Sequence, residues 1–279
     1  MLTAARLRAV LSEHGVHLTK GLGQHFLADP NTAEKIVRLS ECVAGDAVLE
    51  IGPGAGSLTT ALVASGARVT ALELDRHMIP VLRAVLADTE DGDAVRIVGG
   101  DALDTDLAAL SAPGPTRCIS NLPYNVATPI LARLLETAPA VTDMLLMVQR
   151  EVADRWCAGP GSKIYGAISV KVAYYGTARV VGHVAPSVFL PPPKVDSALV
   201  RIVRHEPMPH AVDDPDALFA LVHAGFAQRR KTLGRALRSV LGDAAATYCT
   251  DAGIDPGARA ETIGLSGWLA LHDVVRRNA

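Results

Sequence analysis

The chain has 279 residues, 49% apolar and only 4% aromatic, with 27 Lys and Arg against 29 Asp and Glu for a net charge of −2. The apolar share excludes wholesale disorder and supplies a sizeable core, and the near-balance of charge excludes a histone-like polycation while leaving room for local basic patches. No apolar run approaches the ~20 residues of a membrane span. Cys42, Cys118, Cys157 and Cys249 stand apart with no C-x-x-C pair, the pattern of reduced thiols in a cytosolic protein.

The opening stretch, MLTAARLRAVLSEHG, alternates apolar and charged residues at helical spacing and predicts a helix, not a signal peptide. From residue 47, short β-type runs alternate with amphipathic stretches. AVLEI (47–51), RVTALEL (68–74), VRIVG (95–99), RCIS (117–120) and MLLMVQ (144–149) predict strands, with helices near 57–65, 76–87, 104–110 and 127–136. The strand runs are almost wholly apolar, as where both faces of a sheet are covered, so the fold class is α/β with a doubly wound parallel sheet. EVADRWCA and IYGAISVKVAYY then predict helices that carry Trp156, Tyr165, Tyr174 and Tyr175 as core residues. TARVVGHV and SALVRIVRH predict two further strands on either side of the stiff loop PSVFLPPPKVD. HEPMPHAVDDPD is a proline-punctuated linker, followed by helical LFALVHAGFA, QRRKTLGRALRSVL and SGWLALHDVVRR. A boundary near 207 follows, with a sheet domain at 1–206 and a small α-helical domain at 207–279.

The sharpest motif is EIGPGAG, residues 50–56, directly after the first strand of the alternation and opening a helix. Gly52, Gly54 and Gly56 permit tight turns and close backbone approach to a ligand. Glu73 ends the next strand, where an acid reaches the hydroxyls of a bound ribose. The dinucleotide pattern requires glycine at position 57, which is Ser57, and the phosphate-loop pattern requires a lysine the loop lacks. The loop with Glu50 before it instead resembles the S-adenosylmethionine loop of Rossmann-like methyltransferases. Asp101 ends the following strand in GGDA; it either accepts from the adenine amine of that cofactor or caps the next helix.

The fourth strand of the series ends in Asn121-Leu122-Pro123-Tyr124. The exocyclic amine of adenine is a poor nucleophile, because its lone pair is delocalised into the ring. An Asn side-chain oxygen and a backbone carbonyl, both accepting from that amine, favour a tetrahedral nitrogen with a localised pair, and Tyr124 offers a face for the base. No strong general base is required. Phe189, in the proline loop, either anchors that loop or stacks on the base, and Phe26 reads as packing.

Together these residues resemble the ribosomal small-subunit RNA adenine dimethyltransferases, the KsgA/RsmA family. The likeness runs along nearly the whole chain through GLGQHFL, EIGPGAGSLT, ELD, GDA, NLPYNVATP, AGPGSKIYG, PPPKVDSALVR and FAQRRKT. It implies a Rossmann-like methyltransferase sheet with a small helical C-terminal domain that docks on RNA. It also implies methylation from S-adenosylmethionine of two adjacent adenines in the 3′-terminal hairpin of 16S rRNA, within small-subunit precursors. By position, the resemblance implies cofactor contacts from His25, Leu27, Gly52, Gly54, Glu73, Asp101 and Asn121. The catalytic set it implies is Asn121 and Leu122, with base stacking by Tyr124 and Phe189. This chain departs from the family in having His25 where Asn is usual and Ala127 where Ser is usual, the latter removing a helix cap.

In the C-terminal region Arg229, Arg230, Lys231, Arg235 and Arg238 form a basic run without an acid, with Lys231, Arg235 and Arg238 expected on one helical face toward RNA. Alternatives are a 23S rRNA adenine N6-methyltransferase of the macrolide-resistance type and a non-catalytic RNA-binding assembly factor. Leu122 argues against DNA adenine and protein glutamine methyltransferases, which usually carry Pro or a polar residue there. No metal site is expected: the nine His show neither H-x-H nor H-E-x-x-H spacing, and His14 and His17 have no partner ligands.

Overall fold

The computed structural model describes residues 2–16, 25–111 and 113–278; His17 and the GLGQ of the first shared motif lie outside them. Helix α1 (Ala4–Glu13) starts at Thr3, whose hydroxyl accepts the Arg6 N–H, and buries Leu7, Val10 and Leu11 in a cluster with Met78, Val81 and Val85. A two-residue strand β1 (Phe26–Leu27) leads into α2 (Pro30–Ser40), which has an Asp29 cap and Pro at its first position. The alternation follows as β2 (Ala47–Ile51), α3 (Ser57–Ala64), β3 (Arg68–Glu73), α4 (Met78–Ala87), β4 (Arg96–Gly99), α5 (Leu107–Ser111), β5 (Thr116–Asn121), α6 (Ala127–Thr137) and β6 (Val141–Gln149). Next come α7 (Arg150–Trp156), α8 (Ala167–Tyr175), β7 (Gly176–Val184), β8 (Phe189–Leu190) and β9 (Ser197–Arg204). The chain ends in α9 (Pro215–Ala227), α10 (Leu233–Ala236), α11 (Arg238–Leu241), α12 (Ala245–Asp251) and α13 (Leu265–Asn278).

Seven strands form one sheet in the order β4-β3-β2-β5-β6-β9-β7. Strands β4, β3, β2, β5 and β6 are parallel, and β9 runs antiparallel to β6. The chain leaves β2 to one side through β3 and β4, then returns to its other side with β5. The carboxyl ends of β2 and β5 therefore flank a topological switch point, where open α/β sheets bind their ligands. Separately, β1 pairs antiparallel with β8, Phe26 opposite Leu190 and Leu27 opposite Phe189.

The chain divides into two compact units, residues 1–153 with 179–203, and residues 154–178 with 204–279. This differs from the expected single boundary at 207, because α8 does not bury its apolar face in the sheet's core. Tyr165, Val170 and Tyr174 share a cluster with Leu218, Val222, Leu237 and Trp268 of the helical unit. Helical periodicity shows that a face is buried but not which core receives it. Within the first unit the core is built from Val48, Leu62, Ile119, Leu145 and Leu199, from strands and helices around the sheet. No helix among the described residues is long and apolar enough to cross a membrane.

The basic run is not one helix. Helix α9 stops at Ala227, the Lys231 N–H closes a turn onto the Gln228 carbonyl, and the Leu233 and Gly234 N–H groups donate to the Ala258 and Pro256 carbonyls at 2.7 and 3.0 Å. These bonds to a segment more than twenty residues further along replace the helical ones. Lys231 thus lies in a turn, Arg235 on α10 and Arg238 on α11, and the expected common helical face does not form. Ala127 is the first residue of α6, and Val126, which precedes the helix, gives no side-chain cap.

Candidate active site

At the exit of β2 the chain turns through Gly52, Gly54 and Gly56 with φ of +70°, +55° and +89°, a region that side-chain-bearing residues rarely adopt. Space is also short there: a Cβ on Gly54 would lie 3.1 Å from the Phe26 ring, and one on Gly56 only 2.7 Å from Leu82 Cδ1. The loop is tied to the end of β3 by Glu73. One carboxylate oxygen accepts the Gly54 N–H at 2.9 Å and the other accepts the Asp75 N–H at 2.8 Å. Each oxygen retains a lone pair for a further donor. Burial raises the Glu73 carboxyl above its ordinary value, and the Asp75 and Gly54 donors draw it back. Glu50 is 1% exposed, and its Oε2 has no hydrogen-bond partner among the described residues. Burial pushes this carboxyl up to about 8, and the charge of Glu73 adds to the effect.

At the neighbouring exit, that of β5, the Asn121 amide is oriented by its Nδ2, which donates to the His25 carbonyl at 3.3 Å. Its Oδ1 is buried and accepts from no donor among the described residues. Leu122 is fixed by its N–H, which donates to the Met147 carbonyl at 3.1 Å, while its own carbonyl accepts no hydrogen bond among the described residues. The Tyr124 hydroxyl is bonded to the Ser197 hydroxyl, and its ring centroid lies 5.4 Å from that of His25. His25 Nδ1 donates to the Pro191 carbonyl at 2.8 Å.

These two strand exits face one cleft, with a cavity of about 110 Å³. Of the residues expected from sequence, His25, Leu27, Gly52, Gly54, Glu73, Asn121, Leu122 and Tyr124 line it. Two do not. The Asp101 Oδ1 accepts the Leu103 N–H at 2.8 Å within the turn after β4, and it does not cap the next helix, because α5 starts at Leu107 and Asp106 accepts the Ala109 N–H there. Phe189 is 3% exposed and belongs to the core cluster with Leu27, Leu58 and Leu199, which makes it a loop anchor with no face open to a base. Phe26, read as packing, is buried and also contributes a wall. Glu50, Ser57 and Met78 line the cleft as well, though only Glu50 carried a sequence signal, as the acid before the loop. Ser57, where the dinucleotide pattern requires glycine, donates its hydroxyl to the Leu27 carbonyl and so joins α3 to β1.

The three glycines without Cβ atoms, the acid with spare lone pairs and the unpartnered oxygens of Glu50 and Asn121 fit S-adenosylmethionine, a nucleoside with hydroxyl donors and a cationic tail. No group of three or more His, Cys, Asp or Glu among the described residues could hold a metal ion. In the helical unit, the Arg229 guanidinium donates to the Lys163 and Tyr165 carbonyls and pairs with Glu261 at 3.1 Å. Arg230, Lys231 and Arg235 are exposed, and Arg238 makes only a 3.8 Å pair with Asp243.

Comparison with known proteins agrees with this geometry. A family model described as "Ribosomal RNA adenine dimethylase" matches residues 16–276. The chain is 43% identical over 275 residues to a "Ribosomal RNA small subunit methyltransferase A" of Thermobifida fusca, covering 97% of this chain and 95% of that one. To the protein of the same description from Streptomyces coelicolor it is 43% identical over 280 residues, covering 98% and 97%. Among solved structures, a dimethyladenosine transferase from Plasmodium falciparum superimposes with a TM-score of 0.73 at 26% identity, covering 88% of this chain and 96% of that one. The 23S rRNA methyltransferase ErmE superimposes with a TM-score of 0.65 at 25% identity, covering 90% and 99%. The cleft at the switch point and the likeness along the chain therefore lead to one conclusion: the chain belongs to the ribosomal RNA adenine dimethylase family, and it is an S-adenosylmethionine-dependent methyltransferase.

Proposed function

We propose that this enzyme dimethylates the N6 amines of two adjacent adenosines in the 3′-terminal hairpin of 16S rRNA, within small-subunit precursors in the cytoplasm. The observation that carries the reading is Asn121: its amide is held by the His25 carbonyl so that a buried, unpartnered oxygen lines the cleft. Relatives named for the small subunit, at 43% identity, support this substrate over the 23S rRNA of the structural relative at 25%.

When bound, S-adenosylmethionine supplies a methyl group already activated on a sulfonium. Gly52 and Gly54 allow the close approach of that cofactor, and Glu73 accepts from its ribose hydroxyls. The Asn121 Oδ1 and the Leu122 carbonyl accept from the target amine and keep its nitrogen lone pair out of the ring, an electrostatic arrangement set before the reaction. Tyr124 offers its ring to the base, and the alignment of the two reactants lowers the barrier further. Arg230, Lys231 and Arg235, with Arg238, contact RNA phosphates.

The test supplies labelled S-adenosylmethionine to unmethylated small subunits, large subunits and DNA, then identifies the modified nucleoside. Dimethyladenosine in small-subunit RNA is the expected product. Label confined to large-subunit RNA would transfer the enzyme to the macrolide-resistance type, and no label despite cofactor binding would favour an assembly factor. Asn121→Ala should lower turnover by ~10²–10³, the scale for one lost electrostatic contact to the reacting group.

A further inference from the structure

Ser197 stands outside every role assigned so far, yet it is fully buried and its hydroxyl meets the Tyr124 hydroxyl at 2.5 Å. It opens β9 opposite Gln149 of β6, and the preceding carbonyl, that of Asp196, accepts the Arg150 N–H at 3.0 Å. The hydroxyl is therefore mounted on a sheet position, whereas Tyr124 sits on a loop and turns about two side-chain torsions. Conjugation keeps the phenolic O–H and its lone pairs near the plane of the ring, so a partner at a set place selects a ring orientation as well as a position. The imidazole of His25 lies against the same ring, its planes tilted by 32°.

We propose that Ser197 is a positioning residue for methyl transfer, its hydroxyl holding the Tyr124 ring at the angle at which the target base stacks. The proposal rests on the reading of Tyr124 as the stacking residue. It makes the end of the proline loop part of the reacting geometry without contact between Ser197 and the substrate.

The test is a double-mutant cycle measured as kcat on unmethylated small subunits, with S-adenosylmethionine affinity measured alongside by calorimetry. Ser197→Ala and Tyr124→Phe should each lower kcat about five- to tenfold, the effect of one net hydrogen bond on the barrier. The double variant should be no slower than either single one, because both remove the same contact. Ser197→Thr, which keeps a hydroxyl, should recover most of the rate, and cofactor affinity should stay constant throughout. A wild-type kcat in Ser197→Ala or in Tyr124→Phe would overturn the proposal, as would losses that multiply in the double variant. Tyr124→Ala separates the two readings: near-normal turnover there would remove the stacking role itself, whereas a severe loss beside a wild-type Ser197→Ala would remove only the positioning role.

Discussion

Glu73 joins two tasks, since the carboxylate that faces the cleft also receives the Gly54 and Asp75 N–H groups. Glu73→Ala should weaken S-adenosylmethionine binding by ~2–3 kcal/mol, the scale for charge-assisted hydrogen bonds, as read by calorimetry on folded protein. Glu50 differs because its burial far outweighs the opposing effect of the Thr59 side chain. Its carboxyl titrates near 8 in the folded chain against an ordinary value of 4.5, so the folded state holds a proton that the unfolded state has released. Stability is lost as pH rises from about 4.5 to about 8 and changes little from this source on either side. Glu50→Gln, which cannot ionise, should therefore be more stable than the parent at pH 8 and nearly equal to it at pH 4. Thermal unfolding across that range checks this, and parallel curves for the two proteins would contradict it.

At the scale of elements, the amino-terminal edge of the parallel strands is held by charge. Asp143 of β6 accepts from Arg117 of β5 at 2.5 Å and from Arg201 of β9 at 2.8 Å. Arg117 reaches on to Asp46 and to the Ser40 carbonyl at the end of α2, and Arg201 reaches Glu41. One carboxylate with 16% of its side chain exposed thus serves two guanidinium groups. Asp143→Ala should cost ~2–3 kcal/mol in chemical denaturation, because it removes charge-assisted hydrogen bonds from two guanidinium groups, leaving Arg117 on Asp46 and Arg201 on the exposed Glu41. Glu41→Ala, at an exposed rim, should cost far less. The opposite edge of the same strands carries the glycine loop and Asn121, so these elements brace one end and leave the other for ligand.

At the scale of the whole molecule, a protein of net charge −2 meets a polyanion through local surface, and the fold sorts its basic residues. Arg229, although also exposed, is committed to the Lys163 and Tyr165 carbonyls and to Glu261, while Arg230, Lys231 and Arg235 present their side chains to solvent. Replacing those three by Ala should weaken binding to small subunits and flatten the slope of log K against log salt by ~2–3 units, with cofactor affinity unchanged. Arg229→Ala should instead lower the melting temperature and leave the salt slope alone. The reverse pattern would return the exposed trio to an ordinary solvated surface.

Much of this was legible in the residues themselves. The strands of the alternation read clearly because their runs are apolar on both faces, and a parallel sheet needs that. The glycine loop, Glu73 and Asn121 read clearly because each lies at a strand's carboxyl end, and parallel strands bring those ends to one edge. Helix α2 is signalled in the sequence by Asp29-Pro30, a cap followed by proline at the first helical position, and its apolar face shows only once Ile36 is packed in the core. The short β1–β8 pair is invisible in either strand alone, since each has two residues and meets its partner only across the fold.

The sequence by itself determined the α/β class, the order of the strands along the chain, and the glycine loop and Asn121–Tyr124 tetrapeptide at two strand ends, because local periodicity and backbone freedom specify them. Only the tertiary structure decided which core received α8, that Phe189 is buried in the core cluster of the sheet unit, that the basic run breaks after Ala227, and that Ser197 meets Tyr124. Each of these depends on a partner distant in sequence. Burial and hydrogen bonding reward contacts in space, and a residue's own neighbours along the chain carry no record of them.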